Sequence, residues 1–308
     1  MADLLNPIFT DPEAAREHLE ALRWEKGRVC PHCGECENTS PTASKNHKPG
    51  MYYCNSCEKT FTVTVGTLFE RSHVPLNKWL LSFHLMASSK KGISAHQLHR
   101  TLGVTYKTAW FMAHRIREAM RPSDLAPFGE GGGGVEVDET FIGKQAGKVV
   151  RRGGDHKNKV LSLVDRNSGR SHSMVVDSLH SKHILPILRA NISHEARILT
   201  DEAAHYRYVS VYFAGHETVN HSAEEYVRLS DPTVHTNTIE GFFSIFKRGM
   251  KGVYQHCGRQ HLHRYLAEFD FRYSNRAKLG VSDAQRATLA LKGISGKRLT
   301  YRGPDLRR

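Results

Sequence analysis

The alternation of apolar and polar positions changes character twice along the 308-residue chain. Near the start, Thr60-Phe61-Thr62-Val63-Thr64 alternates with period two and predicts a strand. From Pro75 to Met120 the period lengthens to that of a helix. Trp79, Leu80, Phe83, Leu85 and Met86 form one stripe. A second helix opens at Gly92-Ile93-Ser94, runs through Leu98 and Leu102, and breaks at Gly103. Thr105 caps a third, from Tyr106 to about Met120, with Trp110, Phe111, Ala113 and Ile116 inward. Two short helices about Gly103-Val104, with Tyr106, Lys107, His114, Arg115 and Arg117 on the second, have the layout of a helix-turn-helix whose last helix enters a major groove. A plain three-helix bundle has the same pattern.

Pro122, Pro127 and the run Gly129-Glu130-Gly131-Gly132-Gly133-Gly134 break the helical pattern and mark a domain boundary or flexible insertion. Beyond it, Val135 to Ile142 alternates with period two. The apolar runs 159–164 and 172–176 flank a hairpin loop from Asp165 to Arg170. Ser181 to Ile192 reads as a helix, and Ala196 to Thr200 as a short buried strand ending at Asp201. Three antiparallel strands, a helix, a further strand and a final long helix is the order of an RNase H-like fold, which other α/β layouts share at this resolution.

Five of the six cysteines fall between residues 30 and 57, as Cys30-Pro-His-Cys33, Cys36 and Cys54-Asn-Ser-Cys57. Two CxxC knuckles at this separation predict a zinc ribbon, four thiolates closing a tetrahedron around a structural Zn²⁺. Cys36 is a spare that could replace Cys33. Reduced thiols or a redox pair are the plainer alternative. The domain plan is therefore 1–70, an N-terminal helix and zinc ribbon; 71–128, a helix-turn-helix domain; 129–280, a mixed-sheet catalytic domain; and 281–308, a basic tail. The fold class is multidomain α/β.

Lys and Arg (44) exceed Asp and Glu (31), a formal charge of +13 that points to an acidic partner, nucleic acid before membrane. The excess is uneven. Residues 130–240 carry 13 basic and 15 acidic groups, whereas residues 241–308 carry 15 and 4. A basic surface holding a polyanion beside carboxylates fits this division, with Lys247, Arg248, Lys251, Arg259, Arg264, Arg272 and Arg276 as phosphate partners; so does a solvated tail. If the charge holds DNA, binding is steeply salt-dependent, and neutralising Lys247 or Arg248 lowers the slope. No apolar run approaches the roughly 20 residues that cross a bilayer. The first ten residues lack a secretion signal, so the expected location is the cytoplasm, on the nucleoid when bound to DNA.

Three acids stand out in the slightly acidic middle. Asp138 interrupts a strand, Asp201 ends one, and Glu240 begins a helix. Two strand-borne aspartates and a helix-borne glutamate can hold two Mg²⁺ (or Mn²⁺) ions, the hard cations that oxygen ligands suit in phosphoryl transfer. Each has a bland reading as well. Glu136, Asp138 and Thr140 could form one solvent-facing stripe, Asp201 could cap the next segment, and Asn237 with Glu240 could be a capping pair.

The stretch His235 to Arg276, beginning HTNTIEGFFSIFKRG, with VEVDETFIGK (135–144) and LTDEAAHY (199–206) before it, resembles the bacterial insertion-sequence transposases built as zinc ribbon, helix-turn-helix and DDE catalytic domain. The resemblance runs from about Trp24 to Arg276. It implies that Asp138, Asp201 and Glu240 are the catalytic, metal-binding triad, and that Lys247, two helical turns past Glu240, touches the transposon end. Some relatives carry Asn as the third ligand, which brings in Asn237. The glycine tract is not counted as family pattern. The partner implied is double-stranded DNA, element ends and target, bound by at least a dimer, with no membrane. Rival readings are a domesticated, non-cutting regulator and a metal-dependent nuclease without strand transfer. The sequence holds no G-x-S-x-G elbow and no Walker or dinucleotide glycine motif. His256, Cys257, His261 and His263 read as packing or nucleic-acid contacts rather than a second zinc site.

Overall fold

The computed structural model describes residues 4–42, 49–150 and 154–300, arranged as two compact units. The first is built from Met1–Ser89, Ile93–Met120 and Ser282–Arg308, the second from Lys90–Gly92 and Arg121–Val281.

In the first unit, α1 (Pro7–Thr10) leads into α2 (Pro12–Arg23), whose first turn is capped by the Asp11 carboxylate accepting from the Glu13 and Ala14 N–H groups. Three very short strands, β1 (Thr39–Pro41), β2 (Tyr52–Cys54) and β3 (Lys59–Phe61), form an antiparallel sheet in that order. The strand expected through Thr64 stops at Phe61. Cys30, Tyr52, Cys54 and Phe61 form the sheet's small core, with Trp24, Cys57 and Val65 packed against it.

The three expected helices follow as α3 (Leu76–Ser88), α4 (Ala95–Leu102) and α5 (Tyr106–Met120). Ser94 caps α4 and Gly103, at φ +60°, ends it in the left-handed conformation that glycine adopts without strain. The Thr105 hydroxyl accepts from the Thr108 N–H at the start of α5. The buried face of α5 is Ala109, Met112, Ala113, His114, Ile116 and Arg117, so Trp110 and Phe111 lie beside the core rather than in it.

The second unit is a five-stranded mixed sheet. β4 (Gly134–Ile142), β5 (Asn158–Asp165) and β6 (Ser171–Val176) run antiparallel, α6 (Ser181–Asn191) crosses over, and β7 (Arg197–Asp201) returns parallel to β4. A fifth strand absent from the sequence reading, β8 (Gly215–Val219), extends the sheet parallel to β7, giving the order β6-β5-β4-β7-β8. Then come α7 (Asn237–Gly249), a π-helical turn at Met250–Tyr254, and α8 (Arg259–Ser274).

Alternation along β4 and β5 sorts the two layers. Val135, Val137, Leu161 and Leu163 face α6 through Ile184, Leu188 and Ile192. Val160, Val164 and Ile142 face α7 and α8 through Ile239, Phe242, Phe246, Leu262, Leu266 and Phe269. Glu136, Asp138 and Thr140 share that second face, so the stripe first read as solvent-facing lies on the side α7 covers. Glu136 and Thr140 are buried.

The glycine run is not a flexible insertion. Gly129, at φ +72°, donates its N–H to Asp165, and a Cβ there would collide with Ala196 and Val135. The described part of the basic 281–308 segment carries a helix. Ser282 and Gln285 form a capping box that starts α9 (Asp283–Lys292), and buried Arg286 donates to the Ala87 carbonyl on α3. Residues 301–308 lie outside the described residues.

Candidate active site and zinc site

The four knuckle cysteines meet. Their sulfurs lie within 4.8 Å of one another, with Cys30–Cys57 at 3.7 Å and Cys33–Cys54 at 3.6 Å. A disulfide needs about 2.0 Å, whereas four Zn–S bonds of about 2.3 Å define a tetrahedron with edges of about 3.8 Å. Burial pushes the Cys54 thiol up, yet backbone N–H groups of Cys57 and Ser56 and the Cys33 thiol outweigh it and hold it at about 7. Burial and the neighbouring Cys33, Cys54 and Cys30 push Cys57 up to about 12. Four thiolates therefore do not coexist here without a cation, and the donor set fits a structural Zn²⁺. Cys36 Sγ turns to the Gly34 carbonyl, outside the group, so it does not substitute for Cys33.

The acids come from three elements. Asp138 sits mid-β4 and Asp201 ends β7. The parallel register pairs Val135 with Ile198 and Glu136 with Leu199. The pairing ends there; the alternation that puts Glu136 and Leu199 on one face, continued two residues along each strand, puts Asp138 and Asp201 on it too. Glu240 is in the first turn of α7, on the layer covering that face.

The electrostatics register this crowding. Burial, then the carboxylates of Glu139, Asp201 and Glu240, push Asp138 up to about 8, against one hydrogen bond from the Glu139 N–H. Asp201 is also raised, by burial first and then by Glu139 and Glu202, although it accepts from the Ala203 N–H. Among the described residues only the four cysteines bring three or more ligand atoms within 4.8 Å of one another; Asp138, Asp201 and Glu240 do not meet that closely as a set.

A pH dependence follows. Because Asp138 titrates higher folded than the ordinary carboxylate value of 3.8, its contribution to stability is complete below about pH 4 and is lost as pH rises through 8. The metal-free protein should therefore melt lower at pH 8.5 than at pH 6. A divalent cation held by Asp138 would take the place of the proton, and added Mg²⁺ would then raise the melting temperature more at the higher pH. Calorimetry at the two pH values checks this, and an equal Mg²⁺ effect at both would contradict it.

Several neighbours had no signal in the sequence. The buried Glu136 accepts from Arg166 Nε (2.6 Å) and from the Ile239 N–H of α7 (2.8 Å). Glu139, on the opposite face, accepts from Tyr206 (2.8 Å) and His205 (3.0 Å) just beyond Asp201. His221 stands 3.5 Å from Glu240, and Thr236 donates to the same oxygen. Asn237 is exposed and makes no side-chain cap, so the supposed capping pair with Glu240 is absent.

The basic candidates divide. Lys247, Arg248 and Lys251 are exposed on α7 and the turn after it, and Lys107 is exposed on α5. The Arg115 guanidinium, half-buried and lying over Phe111, donates to the Leu299 and Leu68 carbonyls, and burial lowers its pKa. Arg272 is buried against Glu268, Arg276 donates to the Gly169 and Tyr273 carbonyls, and Arg259 pairs with Asp177 and Asn158. These are spent on the fold, so the surplus available for phosphates is smaller than the segment's composition.

Residues 131–274 match the ISXO2-like transposase domain, and residues 10–60 match the transposase zinc-ribbon domain. The chain thus carries matches to two transposase domains, one after the other. The transposase-domain match spans Asp138, Asp201, Glu240 and Lys247, and the ribbon match spans all four clustered cysteines. The family pattern begins inside the glycine tract, at residue 131, contrary to the sequence reading that set the tract aside. An uncharacterized protein in transposable element ISH50 of Halobacterium salinarum is 28% identical over 280 residues, covering 86% of this chain and 91% of that protein. Among solved structures, a chain of the simian T-cell lymphotropic virus intasome in complex with the PP2A regulatory subunit B56 gamma matches 56% of this chain and 63% of that one, at 15% identity. Its TM-score of 0.29 is too low to describe this fold. No helix among the described residues is long and apolar enough to cross a membrane.

Proposed function

We propose that the chain is a DNA transposase that binds the terminal inverted repeats of an insertion sequence, cuts at the element ends and joins the freed 3′-OH to target DNA. One observation carries the reading: the alternation along the paired strands β4 and β7 puts Asp138 and Asp201 on one face, under the helix whose first turn holds Glu240, and burial, then Glu139, Asp201 and Glu240, push Asp138 up to about 8. When bound by Asp138, Asp201 and Glu240, two Mg²⁺ or Mn²⁺ ions would activate the attacking oxygen and stabilise the leaving one.

In the first step a water oxygen attacks the phosphorus at the element end, the P–O3′ bond breaks, and the departing oxygen takes a proton to become the 3′-OH. In the second, that hydroxyl attacks a target phosphodiester and displaces a target 3′-oxygen. One ester replaces another, so no ATP is consumed. Lys247 lies seven residues past Glu240, about 10.5 Å along the helix on the same face. With Arg248 and Lys251 it would neutralise phosphates beside the acids, while Lys107 on α5 would meet DNA from the helix-turn-helix domain. Two ends cut in concert require at least two copies on DNA, in the cytoplasm on the nucleoid.

The test is a labelled end fragment, a target plasmid and Mg²⁺. The expected products are a nick at the element end and a joined species. Nicking without joining would mark a nuclease, and binding without cleavage a non-cutting regulator.

A further inference from the structure

Helix α7 begins without a side-chain cap of its own, at Thr236. Its third N–H, from Ile239, is instead satisfied by Glu136, 103 residues earlier in the chain. This carboxylate has no solvent exposure. One oxygen accepts from Ile239 (2.8 Å), and the other accepts from Arg166 Nε (2.6 Å). Arg166 spreads its remaining donors over the chain entering the helix. It reaches the His235 carbonyl (2.6 Å), His235 Nδ1 (2.7 Å) and the Thr233 carbonyl. Burial and the Arg166 charge lower the His235 pKa, so its ring is neutral and accepts.

We infer that Glu136 is a positioning residue for the third acid, a role that rests on the two-metal reading above. It lies two residues before Asp138 on the same face of β4, so roughly 7 Å of one strand carries both a metal-binding acid and the anchor of the helix that brings Glu240. Ile239, the residue it holds, immediately precedes Glu240. A buried charge pair is a poor device for stability alone, since packed apolar residues serve as well. It is a good device for fixing direction, because each lone pair is aimed at a named donor. The negative charge also suits the positive end of the helix dipole.

The test measures Mn²⁺ affinity of the DNA-free protein by calorimetry, together with end cleavage at saturating DNA. Displacements near 1 Å at a catalytic group cost about a hundredfold, and Glu136→Ala is expected to lose about that much cleavage and to bind Mn²⁺ more weakly. Glu136→Gln keeps an acceptor for Ile239 and should recover most of both. Should Glu136→Ala fail to fold, by circular dichroism and melting, Arg166→Lys tests the same link. It keeps the charge, loses the fork over 233–235, and should weaken Mn²⁺ binding likewise. A folded Glu136→Ala protein with wild-type affinity and cleavage would overturn the inference, as would a Gln variant no better than Ala, or an unaltered Arg166→Lys protein standing in for an unfolded Ala variant. Asp138→Asn, run in parallel, separates the two readings: if it still cuts, the carboxylate assignment fails and not merely its positioning.

Discussion

Asp138→Asn is expected to abolish cleavage of the element end while DNA binding and the fold persist. Asparagine keeps the shape of the side chain and removes the charge, so the loss isolates the contribution of the carboxylate to metal binding. Metal ions supply several kcal/mol to phosphoryl transfer, and each 1.36 kcal/mol is tenfold in rate, so the fall should be at least about 10³-fold. A second readout moves the opposite way. Asp138 is a strained carboxylate in the metal-free protein, pushed up to about 8 by burial and by Glu139, Asp201 and Glu240. Removing its charge should therefore raise the metal-free melting temperature at pH 8.5 even as activity vanishes. An ordinary structural aspartate would show the reverse, a loss of stability with partial activity. Asp201→Asn should follow the same pattern, with a smaller gain, because the Ala203 N–H already compensates its charge in part. Cleavage by either purified variant, measured on a labelled end fragment, would refute the assignment.

The parts of this site that were legible in the sequence are those governed by local rules. Alternation set Asp138 within a strand, and an apolar run placed Asp201 at a strand end. Paired knuckles at fixed spacing marked the four cysteines, which the structure then brings together. The parts that were not legible depend on what covers what. Glu136, Asp138 and Thr140 make a polar stripe at period two, and the stripe looks solvent-facing until a helix from a hundred residues away lies over it. Strand β8 escaped because Gly215–Val219 is a sheet edge, half-buried and without apolar alternation. Charge counting overstated the DNA surface for a similar reason. A composition cannot tell Lys247, exposed on α7, from Arg272, buried against Glu268, although both belong to the same basic segment.

Removing the zinc should have the largest effect on structure. The ribbon's sheet has three strands of three residues each, and its core is Cys30, Tyr52, Cys54 and Phe61. That is far too little burial to offset the ordering of some 30 residues at about 1–2 kcal/mol each. Structural zinc contributes about 10–16 kcal/mol of apparent binding energy in small fingers, which equals or exceeds the whole stability of a typical domain. The ribbon also organises what leans on it. Trp24 packs edge-on against Tyr52 and Phe61, Tyr52 donates to Glu20 on α2, and Arg28 stacks over Tyr52 at 3.7 Å. Cys54→Ser, or a strong chelator, should therefore abolish the single bound zinc, lower the melting temperature of the first unit and shift Trp24 fluorescence toward that of solvent-exposed indole. Helices α3–α5 bury Trp79, Phe83, Leu98 and Ile116, none of which belongs to the ribbon's cluster, so most helical circular dichroism should survive. Fewer than one zinc per chain in carefully prepared protein, or a Cys54→Ser variant with unaltered melting and metal content, would count against a structural metal and leave the four sulfurs as reduced thiols.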